Sequence, residues 1–403
     1  MAGLLALATA MGIGRFAFTP LLPMMLSDGV IDLSNASWLA SANYFGYLVG
    51  ALLCTIQPWI WKRLDIRQPL LATAWLRGGL VATTVLTLGM ALQLPAVWPL
   101  LRFAAGVASA LVFVYTSGWC LAQLARLGAP ALGGVMYVGP GAGIAISGLL
   151  ASGMVALQWT AATGWLIFGV LAAVLTSIVW PTFSKSGRQA DASTGSVAAE
   201  PPGSGQNLAD RPQILLLSLA YGLAGFGYII TATFLPVIAS QAMPGSGWID
   251  FFWPLFGAGV VLGALLATRI PLNGDRRYLL AGAYAIQALG IGASLVSPSL
   301  IGFVLGSLLL GLPFTAITFF AMQEVRRLCP AAAASYMGLL TAMYGIGQIA
   351  GPPLVAALLR RSASLRAGFT LSQEIAAGAL LAGALMYLWM ARAYPVGTRQ
   401  NLR

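Results

Sequence analysis

Gly12-Ile13-Gly14-Arg15-Phe16-Ala17-Phe18-Thr19-Pro20-Leu21-Leu22-Pro23 lies in an apolar run near the start of the chain. At an offset of 213 the chain reads Gly225-Phe226-Gly227-Tyr228, with Pro236 eight residues after Tyr228, as Pro23 is after Arg15. Two glycines and a proline keep their spacing, and Arg15 is replaced by Tyr228. A second pair of segments matches at an offset of 204, with Gly134, Gly141 and Gly143 against Gly338, Gly345 and Gly347. Single glycine matches arise easily in a chain with 48 glycines, but two segment pairs in the same order point to an internal duplication.

Outward from these segments the chain is a succession of apolar runs. It is 59% hydrophobic and 8% charged over 403 residues. A soluble domain carries about 25% charged residues, so this chain cannot clothe a water-facing surface and its solvent is largely lipid. A helix needs about 20 mostly apolar residues to cross a bilayer. Twelve runs meet that length, at roughly 2–26, 37–59, 69–92, 99–123, 133–157, 161–183, 213–239, 249–268, 278–297, 299–323, 335–359 and 373–393. The fold class expected is an all-α polytopic membrane protein with twelve transmembrane helices in two six-helix bundles.

The long gap at 184–211 is polar and rich in Pro, Gly and Ser (Gly187, Ser193, Gly195, Pro201, Pro202, Gly203). It reads as a disordered cytoplasmic linker between an N-terminal bundle, 1–183, and a C-terminal bundle with a short tail, 212–403. Orientation follows from Lys and Arg in alternate gaps. One set holds fifteen, from Lys62, Arg63 and Arg67 to Arg392, Arg399 and Arg403, and the other holds only Arg360, Arg361 and Arg366. Basic residues concentrate on the cytoplasmic side, so both termini are expected in the cytoplasm and the chain in the inner (plasma) membrane.

Several classes are excluded. The net charge of +11 would suggest nucleic acid in a soluble protein, but here it sits in short gaps and reads as membrane orientation. There is no histidine, and Cys54, Cys120 and Cys329 have no paired spacing, so no metal or disulfide framework is expected. No phosphate-cradling Gly-x-x-x-x-Gly-Lys-Ser/Thr loop is present, which argues against an ATP-driven pump, and no cofactor is expected. No set of nucleophiles or carboxylates converges at depth, so the chain does not read as an enzyme. A secondary transporter of a small solute, working as a monomer in the lipid bilayer, is the leading reading. A sensor or scaffold without transport, or a channel-like uniporter, stays open.

Certain stretches also resemble a family. Gly12 to Pro23, Arg102-Phe103-Ala104-Ala105-Gly106 in the fourth run, and Gly139-Pro140-Gly141-Ala142-Gly143 in the fifth resemble the YbfB/YjiJ-type branch of the major facilitator superfamily. The resemblance covers nearly the whole chain. It implies that superfamily's two-bundle fold, a solute site between the halves near the midplane, and proton coupling; it brings no substrate. The family's loop motif after the second helix survives only in degenerate form, as Trp61-Lys62-Arg63-Leu64-Asp65-Ile66-Arg67.

Arg15 is the leading site residue. A cation mid-span costs about 2.5–3.5 kcal/mol on insertion scales unless it faces water or a partner. It reads as a fixed charge for an anionic solute group, with Thr19 one turn on. Its alternative role is a structural bond to nearby carbonyls. Arg102 either snorkels to the outer interface or, by the resemblance, belongs to a motif tied to ion coupling. Arg77 reads as snorkelling or packing. Asn43, Tyr115, Tyr228 and Gln348, with Thr231, Gln287 and Thr318, suggest an aromatic and amide lining suited to a small organic solute. All ten acidic residues lie in loops or at span ends, Glu324 and Glu374 being nearest to helices, so the residues themselves carry no proton relay. Gly139 to Gly143, Gly46-x-x-x-Gly50 and Gly347-x-x-x-Gly351 read as close helix packing, with Pro140 bending the fifth helix.

Overall fold

The computed structural model describes residues 1–63, 72–128, 130–190, 211–270, 274–329 and 333–396. The expected linker falls largely at 191–210, outside the described residues, as do Leu64 to Arg67 of the degenerate loop motif. Among the described residues twelve helices are long and apolar enough to cross a membrane. They are α1 (Ala2–Ser27), α2 (Leu33–Gln57), α3 (Ala72–Leu92), α4 (Trp98–Leu121), α5 (Gly134–Ala156), α6 (Ala161–Ser184), α7 (Pro212–Ala242), α8 (Ile249–Ala267), α9 (Arg276–Val296), α10 (Leu300–Leu328), α11 (Tyr336–Arg361) and α12 (Leu365–Ala393).

Most spans fall within a few residues of the sequence reading. The twelfth begins eight residues earlier than the expected 373. Ser364 caps it, its hydroxyl accepting from the Ala367 amide at 3.2 Å, and a side-chain acceptor at that position satisfies one of the helix's free amides. The expected outer gap therefore shrinks to Ser362–Ser364, and Arg366 lies in the helix's first turn.

The duplication is visible in the packing. α1 packs on α5, α2 on α4, α3 on α4 and on α6. Six helices later, α7 packs on α11, α8 on α10, α9 on α10 and on α12. Between the halves the main pairs are α2 with α11 and α5 with α8, which exchange places under the same six-helix shift. The matched glycines account for the close approaches. A methyl group on Gly12 would lie 2.4 Å from Gly143 Cα, and one on Gly347 would lie 2.2 Å from the Gly222 carbonyl oxygen. In both halves, small residues let the first and fifth helices touch backbone to backbone. Gly46 and Gly50 serve α2–α4 in the same way. Pro140 stands in the first turn of the α-helical part of α5, Val138–Ala156, where proline is tolerated.

α1 is the irregular helix. It is α-helical at Ala2–Leu7, π-helical at Ala8–Arg15, turns at Phe16–Ala17 and resumes at Phe18–Ser27. The wide turn is marked by the Phe16 amide donating to the Met11 carbonyl at 3.1 Å. The cause is local. Gly12 and Gly14 loosen the backbone, and the Pro20 ring would collide with the Phe16 carbonyl in a continuous helix. Starting the second segment at Phe18 puts Pro20 in its first turn, where proline is tolerated.

Candidate functional site

Breaking α1 leaves carbonyls without helical partners, and the sequence supplies a substitute from three helices away. Arg102 of α4 donates to the Gly14 carbonyl at 3.3 Å and to the Arg15 carbonyl at 3.1 Å, and its guanidinium carbon lies 5.0 Å from the Phe18 ring centre. It is 2% exposed, so it does not snorkel. Asn43 of α2 in turn donates to the Arg102 carbonyl at 2.9 Å. The carbonyl-binding role considered for Arg15 is thus filled by Arg102, and Arg15 points elsewhere.

Arg15 reaches across to the other half. Its Nη2 donates to Gln348 Oε1 of α11 at 2.6 Å, and Gln348 Nε2 donates to the Tyr228 hydroxyl of α7 in a short hydrogen bond. The guanidinium carbon stands 3.8 Å from the Tyr47 ring centre, 5.5 Å from that of Tyr44 and 5.3 Å from that of Phe16. Tyr44 and Thr233 of α7 share a hydrogen bond of 2.9 Å between the halves. Arg15 Nε, Thr231 Oγ1 and Asn43 Oδ1 are buried with no hydrogen-bond partner. No carboxylate pairs with Arg15 among the described residues.

Rings from both halves surround this charge. Phe16 lies 6.3 Å from Trp253 of α8 and 6.2 Å from Phe314 of α10, centre to centre; Phe314 meets Tyr228 edge-on at 4.9 Å, and Tyr228 stacks on Tyr344 at 5.8 Å. The Trp253 indole N–H is buried without a partner.

The sequence-predicted residues sort into three groups. Arg15, Tyr228 and Gln348 form one hydrogen-bonded chain. Asn43 and Arg102 hold the backbone behind it. Thr19 is buried, but the break at Phe16–Ala17 separates it from Arg15, so the regular one-turn relation does not carry across. Tyr115 bonds to Gln57 and stacks on Trp75. Gln57 is ten residues beyond Tyr47, or about 15 Å along α2 at the helical rise, so Tyr115 does not join the centre. Gln287 donates to the Leu310 carbonyl at 3.1 Å and Thr318 accepts from Tyr221 at 3.0 Å, both within the second half. Tyr44, Tyr47, Phe16, Trp253 and Tyr344 were not singled out by sequence.

The halves touch at both ends of their shared pairs. In α2–α11, Arg360 Nη1 donates to Ser34 Oγ at 3.3 Å at one end, Ser41 donates to the Ile349 carbonyl at 3.2 Å, and Gly338 nears Thr55 at the other. In α5–α8, Ser152 donates to the Asp250 carbonyl at 3.0 Å at one end, and a methyl on Gly134 would lie 2.3 Å from Thr268 Cγ2 at the other. Arg15, Gln348 and Tyr228 are no more than 3% exposed. The state is occluded.

A buried charge between duplicated, mutually sealed halves is a carrier's arrangement. The model of the family described as "Uncharacterised MFS-type transporter YbfB" matches residues 7–388. The chain belongs to this family of major facilitator superfamily transporters. A chloramphenicol resistance protein of Streptomyces lividans is 31% identical over 375 residues, covering 88% of each chain. Among solved structures, the nucleoside transporter NupG has the same fold. A point mutant of NupG matches with a TM-score of 0.71 at 14% identity, and NupG itself with 0.68 at 15%, each covering 96% of this chain and 98% of the other. The family and these neighbours are transporters, not enzymes, and this member is a multi-pass membrane protein.

At the loop-facing ends of α9 and α10 stands a separate charge cluster. Glu324, fully buried, bonds to Arg327 at 2.5 and 2.9 Å and lies 3.8 Å from Arg277 Nε. Arg277 also bonds Asp275 at 2.7 Å and the Met390 and Tyr394 carbonyls at 2.8 and 2.7 Å. Burial opposes ionisation of Asp275, but the Arg277 side-chain and backbone hydrogen bonds and the charges of Arg277 and Arg327 outweigh it and hold the carboxyl below its ordinary value.

Proposed function

We propose that this protein is a secondary transporter that carries a small organic anion with a flat, ring-bearing body across the inner membrane by alternating access, both termini in the cytoplasm. The observation that carries this reading is Arg15, a buried cation with no carboxylate partner among the described residues, hydrogen-bonded to a neutral amide of the opposite half. A carboxylate entering from either side would replace Gln348 and accept two parallel bonds from the guanidinium. The second segment of α1 begins at Phe18, three residues on, and the positive end of its dipole adds to the same bias.

Rings on both sides favour a flat solute, since a planar π-system recovers the tilted and edge-on contacts that Phe16 gives up when the halves part. Arg15, Gln348 and Tyr228 are assigned to the solute, with Thr19 beside them; Arg102 and Asn43 are positioning residues, and Tyr115 lies on the path at one end. The resistance in the name of the Streptomyces lividans relative favours export. For a coupling proton, Glu324 is the one fully buried carboxylate among the described residues, and arginines hold it away from Arg15.

The test is a thermal-shift screen of the purified protein against small organic anions, cations and sugars, followed by counterflow exchange of the hits in proteoliposomes. Aromatic acids should stabilise the protein and exchange. Stabilisation by sugars or cations alone, or flux without exchange, contradicts the reading.

A further inference from the structure

Arg77 sits in α3, five residues past Ala72, or about 7.5 Å along the helix from its loop end. Its guanidinium carbon lies 4.1 Å from the Trp180 ring centre of α6. A guanidinium over a ring uses its face and leaves its N–H edge free. That edge meets no carboxylate and no hydrogen-bond acceptor among the described residues, and Nε is buried without a partner. Arg15 and Arg102 each donate to protein oxygens, so Arg77 differs from both.

Beside the stacked pair a groove of about 370 Å³ opens between α3 and α6, lined by Val81, Thr176, Ser177, Trp180 and Pro181. Val81, Ser177 and Pro181 are exposed on the side that faces lipid. Apolar carbon of Val81, Trp180 and Pro181 makes up most of the groove, two hydroxyl residues, Thr176 and Ser177, line the rest, and Arg77 stands next to it, stacked on the Trp180 ring one turn of α3 from Val81 towards the loop. A phospholipid has the complementary form, an acyl chain for the apolar trough and a phosphate for the guanidinium edge. By sequence, Lys185 and Arg188 follow Pro181 at four and seven residues, in the same gap set that holds Lys62 and Arg63. On the positive-inside reading this is the cytoplasmic leaflet, whose anionic lipids are drawn to such residues.

We infer that the α3–α6 groove is a binding site for an anionic phospholipid of the cytoplasmic leaflet, with Arg77, held by Trp180, taking the phosphate. The site is separate from the Arg15 centre and stands or falls independently of the solute.

Delipidated full-length protein in neutral detergent, offered equimolar dioleoyl phosphatidylglycerol and dioleoyl phosphatidylcholine, would be assayed by native mass spectrometry for its tightest-held lipid. The wild type should prefer phosphatidylglycerol by about fivefold, the weight of one well-placed cation. Arg77→Gln should bring the ratio near one. Ser177→Trp, a lipid-facing change that fills the groove and leaves Arg77 in place, should do the same and guards against misfolding of the first variant. Excess inorganic phosphate should not displace the lipid, since the groove contributes through the acyl chain. A wild-type ratio near one, an undiminished preference in both variants, or displacement by phosphate alone would overturn the assignment.

Discussion

Pro20 in α1 and Thr233 in α7 occupy the same place in the repeat, and the two halves diverge from there. With Pro20, α1 breaks at Phe16–Ala17, carries a π-helical segment and exposes two carbonyls that Arg102 must satisfy. With Thr233, the second half's first helix is continuous from Arg211 to Ala242, and the Thr233 hydroxyl is free to bond Tyr44 across the interface. The broken helix carries Arg15 and the continuous one Tyr228. A duplicated scaffold has thus been made asymmetric at its centre by two changes of residue type. Irregular membrane helices are tolerated only where neighbours re-satisfy the backbone, and such segments gather at functional sites. The second half places its buried ions at the loop-facing ends instead, in the Asp275–Arg277–Glu324–Arg327 cluster.

The largest expected effect tests that second contrast. Glu324→Gln leaves Arg277 buried with a weakened partner set, and removing one member of such a group costs about 3–5 kcal/mol. A chemical or thermal unfolding series should show a loss of that size. Asp275, whose carboxyl is held low in the folded state, contributes stability that is present above its unfolded pKa and is lost as pH falls through the folded value. Acid sensitivity should therefore appear below about pH 4 and flatten in Asp275→Asn.

Making α1 resemble α7 at the charged position is next. Arg15→Tyr should weaken solute binding by about 1.5–3 kcal/mol, the range for hydrogen bonds to a charged group, while Arg15→Lys, which keeps charge but loses the fork, should lose less. Equal binding in all three proteins, with only melting temperatures changed, would make Arg15 structural.

Pro20→Thr copies the α7 residue into α1. It should close the break and turn Arg15, weakening binding about tenfold, or about 1.4 kcal/mol. Hydrogen exchange reports the structural side directly. Amides 16–19 should exchange faster than amides 229–232 in the wild type, and the difference should shrink in the variant. The smallest effect belongs to Tyr228→Phe, which removes the hydroxyl that receives Gln348 and should cost about 1 kcal/mol in binding.

Much of this was legible in advance. The twelve spans follow from lipid-like composition, and the contact of the first helix with the fifth in each half is marked by glycines kept at fixed offsets, Gly12 and Gly143 against Gly225 and Gly347. Arg15 stood out because a mid-span charge is costly wherever it lies. The rest depended on contacts between distant helices. That Arg102 caps α1 rather than snorkelling needed the free carbonyls of Gly14 and Arg15, which exist only because of the break. Pro20 against Thr233 was readable as a difference within the repeat, but matching attends to what is the same. Tyr44, Tyr47 and Phe16 gave no signal, since aromatic residues in an apolar span look like core. The start of α12 was hidden because Arg366 and its serines read as loop, while the Ser364 cap is what begins the helix.

Arg15, the charged member of the asymmetric pair, should select an anion. That selection is tested most directly by counterflow exchange in proteoliposomes with three versions of one ring compound taken from the screen: the carboxylate, its primary amide and its trimethylammonium counterpart. The acid should exchange, the amide at least about tenfold less and the permanent cation not at all, and Arg15→Ala should lose exchange of the acid. Exchange of the cation at the rate of the acid, or undiminished acid exchange in Arg15→Ala, would contradict selection by Arg15.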